Sequence, residues 1–229
     1  MHSQLGSLFT GIPFFEGLTE EDVKQLSKWC VERKFKRRSI IFLEGDVGDE
    51  LYIIKKGSVE ICHYYEDKKN ILTILHEGNY FGEMALLQKG SSRSATAEAI
   101  ETTSLYALRR EDFARLLESN PKLMLNLLEN TMDRLRQANE LIHDLTFLNV
   151  RLRLNKLLVR LIDQFGSHHP KGMLINFKLT HQQIAELIGA ARVTVTKLML
   201  ELQDEGIIEI LNKKILVIDL EQLKEDLFI

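Results

Sequence analysis

The spacing of apolar residues changes twice along this chain, and that limits its possible folds more than any single residue does. From Ser39 to about Leu108, β-branched and aromatic residues come in short runs: Ile40-Ile-Phe42, Leu51-Tyr-Ile-Ile54, Val59-Glu-Ile-Cys-His-Tyr64, Ile71-Leu-Thr-Ile-Leu75, Ala95-Thr-Ala97 and Ser104-Leu-Tyr-Ala-Leu108. Turn residues separate them at Glu44-Gly-Asp46, Lys56-Gly57, Glu66-Asp67 and Glu77-Gly-Asn79. Many short strands at near-regular spacing predict a small antiparallel barrel or sandwich. After Pro121 the spacing becomes helical. Leu128, Thr131, Leu135, Ala138, Ile142 and Leu145 recur every three or four residues, the a/d seam of a coiled coil. Two placements fit that stripe: one helix lying on the barrel, or a helix pairing in parallel with its copy in a dimer.

The flanking segments read as helical. Met1 to about Arg38 carries Leu5, Leu8 and Phe9 at helical spacing, interrupted by Pro13-Phe14. Thr19 with Glu20, Glu21 and Asp22 reads as an N-cap and acidic first turn for a helix through Val23, Leu26 and Trp29. From Asn149 onward, a long helix through Leu152 to Phe165 precedes a loop, Gly166-Ser-His-His-Pro170 with Gly172. Two short helices follow, around Gln182–Leu187 and Val193–Gln203. Ile207–Ile210 and Ile215–Ile218 then flank Asn212-Lys-Lys214 as a hairpin.

The densest chemical signal is Phe81-Gly-Glu-Met-Ala-Leu-Leu87 followed by Ser92-Arg-Ser-Ala-Thr96. Gly82 lets backbone N–H groups come close to an anion, and a short helix from Met84 and Ala85 points its positive end the same way. Arg93 supplies a fork of donors that matches phosphate oxygens, and Ser94 adds a hydroxyl. Glu83 can accept from a ribose hydroxyl. A lone Gly-Glu is usually a turn and a lone Arg is usually on the surface. The ordered set, between two strands where a barrel opens, suits a cyclic nucleotide with its anionic phosphodiester, free 2′-hydroxyl and flat base.

A second constellation lies near the C-terminus. Thr180 caps a helix whose apolar face is Ile184, Leu187 and Ile188, and Gly189 is a left-handed stop. Ala190-Ala-Arg-Val-Thr-Val-Thr-Lys197 starts a second helix, with Val195, Leu198 and Leu202 packing inward. Two helices joined this way fit either an ordinary helical hairpin with a solvated face or a helix-turn-helix whose second helix enters the DNA major groove, and the hairpin from Ile207 to Ile218 favours the second as a winged version. Arg192 suits a guanine and Val193 a thymine methyl. Thr180, Gln182, Thr194, Thr196 and Lys197 are candidates for phosphate or base contacts, and Lys213 and Lys214 mark a wing tip.

Together these features resemble the cyclic-AMP receptor protein/FNR family of bacterial transcription regulators, from about Leu8 to Val217. Phe81–Leu87 with Arg93-Ser-Ala-Thr96 is similar to that family's phosphate-binding cassette. Gly45, Leu51–Ile54 and Gly57 resemble the glycine-punctuated start of its β-roll. The resemblance implies an α+β fold. Residues 1–120 would form an N-terminal cyclic-nucleotide-binding, jelly-roll-like β-roll, residues 121–148 a long dimerisation helix and residues 149–229 a C-terminal winged helix-turn-helix. It implies a homodimer that binds a palindromic site in double-stranded promoter DNA, with cyclic AMP first, then cyclic GMP or another nucleotide, as effector and RNA polymerase as a partner. In the best-known cyclic-AMP receptors a Thr and a Ser on the dimer helix reach the adenine. Arg134 aligns in register, and Ala138 and Asn139 occupy those places here. The family's cyclic-AMP receptors read Arg-Glu-Thr-Val in the recognition helix, whereas this chain has Arg192-Val-Thr-Val195. That stretch looks more like the cyanobacterial-type nitrogen-control branch, whose dicarboxylate effector Glu83 would disfavour. The same architecture with a degenerate pocket, sensing another metabolite or none, stays open.

Composition narrows the remaining classes. Lys plus Arg total 30 against 33 for Asp plus Glu, so any basic surface is local. The two cysteines, Cys30 and Cys62, cannot build a disulfide framework or a four-thiolate iron–sulfur site within the chain. Cys62-His63 reads as packed strand, and His168-His169 as an exposed loop, so neither metal nor haem is expected. No apolar run reaches the ~18 to 20 residues of a membrane span. Met1–Pro13 lacks the order of a signal peptide. These features predict a cytoplasmic setting without a membrane partner. There is no plausible nucleophile–base set, so the chain is not expected to be an enzyme.

Overall fold

A computed structural model describes residues 12–66, 68–87, 90 and 92–225. The chain divides near Arg136 into two compact units. Leu5, Leu8 and Phe9 lie outside the described residues.

In the first unit, Thr19 closes a capping box with Asp22 at the start of α1 (Glu20–Trp29). The chain then departs from the helical expectation for its first 38 residues. Val31–Phe35 is a strand, β1, paired antiparallel from Val31↔Ala107 to Phe35↔Thr103. β1 is an edge strand with only Phe35 half-buried. Its Glu-Arg-Lys run therefore hides the apolar alternation by which strands are read.

β2 (Ile40–Phe42), β3 (Glu50–Lys56), β4 (Ser58–Tyr65), β5 (Lys68–His76), β6 (Tyr80–Phe81), β7 (Thr96–Ala99) and β8 (Thr103–Arg109) complete a roll of two sheets. Their orders are β1-β8-β3-β6 and β2-β7-β4-β5. Strand alternation sorts the side chains into two cores. Tyr52 and Ile54 of β3 and Leu105 and Ala107 of β8 face into the roll with Val59, Phe81 and Ala97. Leu51, Ile53, Tyr106 and Leu108 face the opposite side, against Phe14, Phe15, Leu26, Phe113, Leu116 and Leu123. Each Leu, Ile, Val or Phe among them, fully buried, stabilises by ~1.5 to 3 kcal/mol.

The cassette's short helix is α2 (Met84–Leu87). A further helix, α3 (Arg110–Ser119), precedes α4 (Pro121–Phe147). Leu123 and Leu127 of α4 are buried in the first unit. Leu128, Leu135, Ile142 and Leu145 of the predicted seam are exposed in the single chain, Leu135 at 60%. This outward apolar stripe is not the face that covers the roll.

The second unit opens with α5 (Val150–Phe165), capped by Asn149. The expected loop at 166–172 is instead a hairpin of β9 (Gly166–His169) and β10 (Gly172–Ile175). Each strand has four residues, β9 (Gly-Ser-His-His) without an aliphatic residue and β10 (Gly-Met-Leu-Ile) without a polar one, so neither shows a period of two. α6 (His181–Ile188) and α7 (Arg192–Asp204) form the helical pair, and β11 (Ile208–Leu211) and β12 (Lys214–Val217) the second hairpin. The four strands make one sheet in the order β11-β12-β10-β9. Asn212 and Lys213 have φ of 52° and 66° between Leu211↔Lys214, the two-residue turn that suits strand twist. A final helix, α8 (Leu220–Glu225), buries Leu223. Among the described residues, no helix is long and apolar enough to cross a membrane.

Candidate ligand pocket and nucleic-acid interface

Arg93 is the centre of the first site. Only 5% of it is exposed. Its Nη1 donates to the Gly82 carbonyl and its Nη2 to the Glu50 carbonyl, each at 2.8 Å. The guanidinium lies 4.1 Å from the centre of the Phe42 ring. Tyr52 and Phe81 stack at 5.4 Å beside that ring. Nε is buried without a partner, and among the described residues no carboxylate pairs with Arg93. Burial pulls its pKa below the ordinary value, opposed by Tyr52, Asp49, Glu50 and Glu83. A buried cation without a contact counter-ion is costly, and a bound anion would relieve that cost.

Two glycines make room for this guanidinium. Gly82 has φ +86°, and a Cβ there would sit 2.5 Å from Arg93 Nη1. At Gly48 a Cβ would meet Arg93 Nε at 2.4 Å, Cζ at 2.6 Å and the Ala85 Cβ at 2.8 Å. Sequence reading found Gly82 in the cassette and missed Gly48, which precedes it by more than thirty residues and belongs to no motif.

Glu83 is 6% exposed. Its Oε1 accepts from Arg134 Nη1 at 2.6 Å, and its Oε2 is buried with no partner. Arg134 also donates to the Tyr80 carbonyl at 2.8 Å and lies over the Tyr80 ring. Arg134, a candidate for ligand contact, is thus held against the Glu83 carboxylate and orients it. Ser94 is exposed and makes only a 3.5 Å contact to the Met84 sulfur, and Met84 is itself 60% exposed. Ala85 is buried in α2. Asn139 lies on α4 beyond Arg136, in the second unit.

Arg110 was not foreseen. It donates to the carbonyls of Leu86 and Ala85, and to the Gly48 carbonyl at 2.8 Å. It therefore clamps α2 to the Gly48 loop. No sequence spacing links Arg110 to positions 24 and 62 residues away.

Burial pushes the Cys30 thiol up to about 12 and the Cys62 thiol up to about 11, so both stay protonated at neutral pH. Among the described residues, no group of three or more His, Cys, Asp or Glu side chains is placed to hold a metal ion.

In the second unit the helical pair is tightly built. Thr180 caps α6 by accepting from the Gln183 N–H at 3.2 Å, and Gln183 returns the bond to the Thr180 N–H. Gly189 adopts φ 61°, and Val195, Met199 and Leu202 of α7 are buried. Met199 takes the inward place expected of Leu198, which is half-buried.

Arg192 is exposed and Val193 is 80% exposed at the start of α7. Thr194 is half-buried, and Lys197 reaches Glu201 at 3.5 Å. Gln182 donates to Glu186 at 2.7 Å. Thr196 is half-buried; its hydroxyl donates to the Arg192 carbonyl at 3.0 Å and lies 2.9 Å from His181 Nδ1. Lys213 is exposed at the turn, whereas Lys214 is drawn back to Asn176 Oδ1 at 2.8 Å.

Residues 32–120 match the family described as "Cyclic nucleotide-binding domain", and residues 152–226 match "Crp-like helix-turn-helix domain". The chain is 31% identical over 210 residues to a "CRP-like cAMP-activated global transcriptional regulator" of Mycobacterium tuberculosis, covering 91% of this chain and 93% of that protein. It is 33% identical to the "Cyclic AMP receptor protein" of Thermus thermophilus, covering 87% of this chain and 89% of that one. Among solved structures, a CooA mutant from Carboxydothermus hydrogenoformans superposes with a TM-score of 0.78 at 26% identity, covering 92% and 91% of the two chains. The c-di-GMP responsive regulator CLP of Xanthomonas campestris gives a TM-score of 0.75 over 88% of this chain and 100% of that one. At 22% identity this is a likeness of fold alone.

Proposed function

Because the chain belongs to the CRP/FNR family of ligand-sensing, DNA-binding transcription regulators, we propose that its β-roll senses cyclic AMP and that its winged helix-turn-helix binds a palindromic promoter site. The observation that carries the effector reading is the buried Arg93 guanidinium, held by two carbonyls and lacking a carboxylate partner. A cyclic phosphodiester would supply the missing anion. Backbone N–H groups from Gly82 to Ala85 and the Ser94 hydroxyl would surround it. The buried, unpartnered Glu83 Oε2 would accept from the ribose 2′-hydroxyl, with Arg134 fixing the carboxylate.

Residues 1–120 would sense, 121–148 dimerise and 149–229 bind DNA. The exposed stripe of Leu128, Leu135, Ile142 and Leu145 supports a parallel dimer helix, and Asn139 on that helix would meet the base. Effector binding can favour DNA binding only through contacts that differ between the two conformations. RNA polymerase is the partner that such a promoter-bound regulator would address, and no membrane enters the scheme. Val193 cannot accept from cytosine N4, so the preferred half-site differs from one read by a glutamate.

Titration calorimetry with cyclic AMP, cyclic GMP, c-di-GMP and 2′-deoxy cyclic AMP tests the pocket. We expect cyclic AMP to bind, and its 2′-deoxy form to bind about tenfold more weakly because Glu83 Oε2 loses its donor. Equal binding of the two would refute the role given to Glu83. A second reading is an effector other than cyclic AMP. It is favoured by Ala138, whose side chain has no polar atom to offer a base. Binding of another panel member in preference to cyclic AMP would establish it.

A further inference from the structure

The start of α7 carries two exposed side chains, Arg192 and Val193, yet it has no cap of its own. Ala191 stands at the N-cap and makes no side-chain hydrogen bond. A capless first turn is normally free to fray. Here Thr196, one turn into α7, is 3.0 Å from the Arg192 carbonyl through its hydroxyl. The same oxygen lies 2.9 Å from His181 Nδ1 on the neighbouring helix. The hydroxyl has one hydrogen. If it is given to the Arg192 carbonyl, the second contact is made only with a proton on Nδ1 donating to Thr196. His181 itself stands on rigid ground, as the first residue of α6, directly after the capping box of Thr180 and Gln183.

We propose that His181 is a positioning residue for DNA reading. Its Nδ1–H holds Thr196, Thr196 holds the Arg192 carbonyl, and this relay fixes the direction in which Arg192 and Val193 leave the helix. Thr196 then serves the geometry of base reading without touching a base. The proposal rests on the reading of the second unit as a sequence-specific DNA binder. It assigns a role to His181, which the motif analysis left out.

The test uses the full chain on a randomised half-site library at one salt concentration, with a salt series on the preferred site. His181→Ala and Thr196→Val should each weaken the preferred site about fivefold, the size of one hydrogen bond, and flatten the preference at the position read by Arg192. The double variant should be no worse than either single one, because both break the same relay. Thr196→Ser should keep the wild-type preference. His181→Asn places an amide N–H where Nδ1 stands and should also keep it. His181→Gln places its amide farther out and should not. If alanine at 181 unfolds the second unit, the Asn and Gln pair decides alone.

Losses that multiply in the double variant overturn the proposal. So does an even loss across the library with a salt slope lowered by about one, which would make His181 a phosphate contact. A wild-type chain with no sequence preference would instead defeat the underlying DNA-reading assignment, a distinct result, and the proposal would fall with it.

Discussion

Replacing Gly48 with alanine adds one methyl group and removes no hydrogen-bond donor, yet it should impair effector binding. The methyl would lie 2.4 Å from Arg93 Nε, 2.6 Å from Cζ and 2.8 Å from the Ala85 Cβ. The guanidinium has little freedom to yield. Gly82 and Glu50 carbonyls hold it at 2.8 Å each, and the Phe42 ring lies 4.1 Å away. Arg93 must therefore move off the position at which its fork would meet a phosphate in the proposed pocket. A charge-assisted hydrogen bond is worth ~1.5 to 3 kcal/mol, and ~1.4 kcal/mol is tenfold, so cyclic-AMP affinity should fall about 10- to 100-fold. Overpacking should also cost ~1 to 3 kcal/mol of stability. Calorimetry on the wild type, Gly48→Ala, Arg93→Ala and the double variant separates the two effects. Because Gly48 acts through Arg93, the double variant should bind no worse than Arg93→Ala alone. Undiminished affinity in Gly48→Ala, or losses that multiply in the double variant, would refute the reasoning.

Other outcomes follow from the same geometry. Leu135→Glu should set like charges across the two-fold axis of a parallel dimer helix and yield a monomer in sedimentation velocity; an unaltered dimer would contradict the seam. Arg192→Ala should cost ~1 to 3 kcal/mol on the preferred site and relax one base requirement, whereas Lys213→Ala should weaken all sites alike and lower the salt slope by about one. A half-site library at fixed salt distinguishes these two, and exchanged phenotypes would contradict the assignment. Cys30 and Cys62, raised from 9.0 to about 12 and about 11, hold few thiolates at pH 8. Alkylation by iodoacetamide should therefore be at least ~100-fold slower in the native protein than in the unfolded one, and equal rates would show that burial does not control the thiols.

The parts legible in the sequence were those with local signatures. Thr19 and Thr180 announced helix starts through capping residues, and Gly82-Glu83 with Arg93 announced the stretch that the fold gathers round one buried guanidinium. The strand β1 was not legible, because an edge strand can be nearly all charge: Val31–Phe35 buries only part of Phe35. Gly48, Arg110 and the Phe42 and Tyr52 floor escaped for another reason. Each acts on α2 or Arg93 from far away in sequence, as the Arg110 bonds across 24 and 62 residues show. Side-chain engagement was likewise invisible. Arg134, Thr196 and Lys214 have the chemistry expected of ligand or DNA contacts, and the bonds that each makes within the chain could not be read from spacing.

The central claim is that an effector in the β-roll controls sequence-specific DNA binding by the second unit. Its most direct test is the dissociation constant of the full chain for its selected palindrome, with and without saturating cyclic AMP, at one salt concentration. Coupling between two sites typically amounts to ~1 to 3 kcal/mol, so cyclic AMP should tighten specific binding about 5- to 150-fold and leave non-specific binding unchanged. In Arg93→Ala that gain should vanish at the same nucleotide concentration. Equal affinities with and without cyclic AMP in the wild type would contradict the claim.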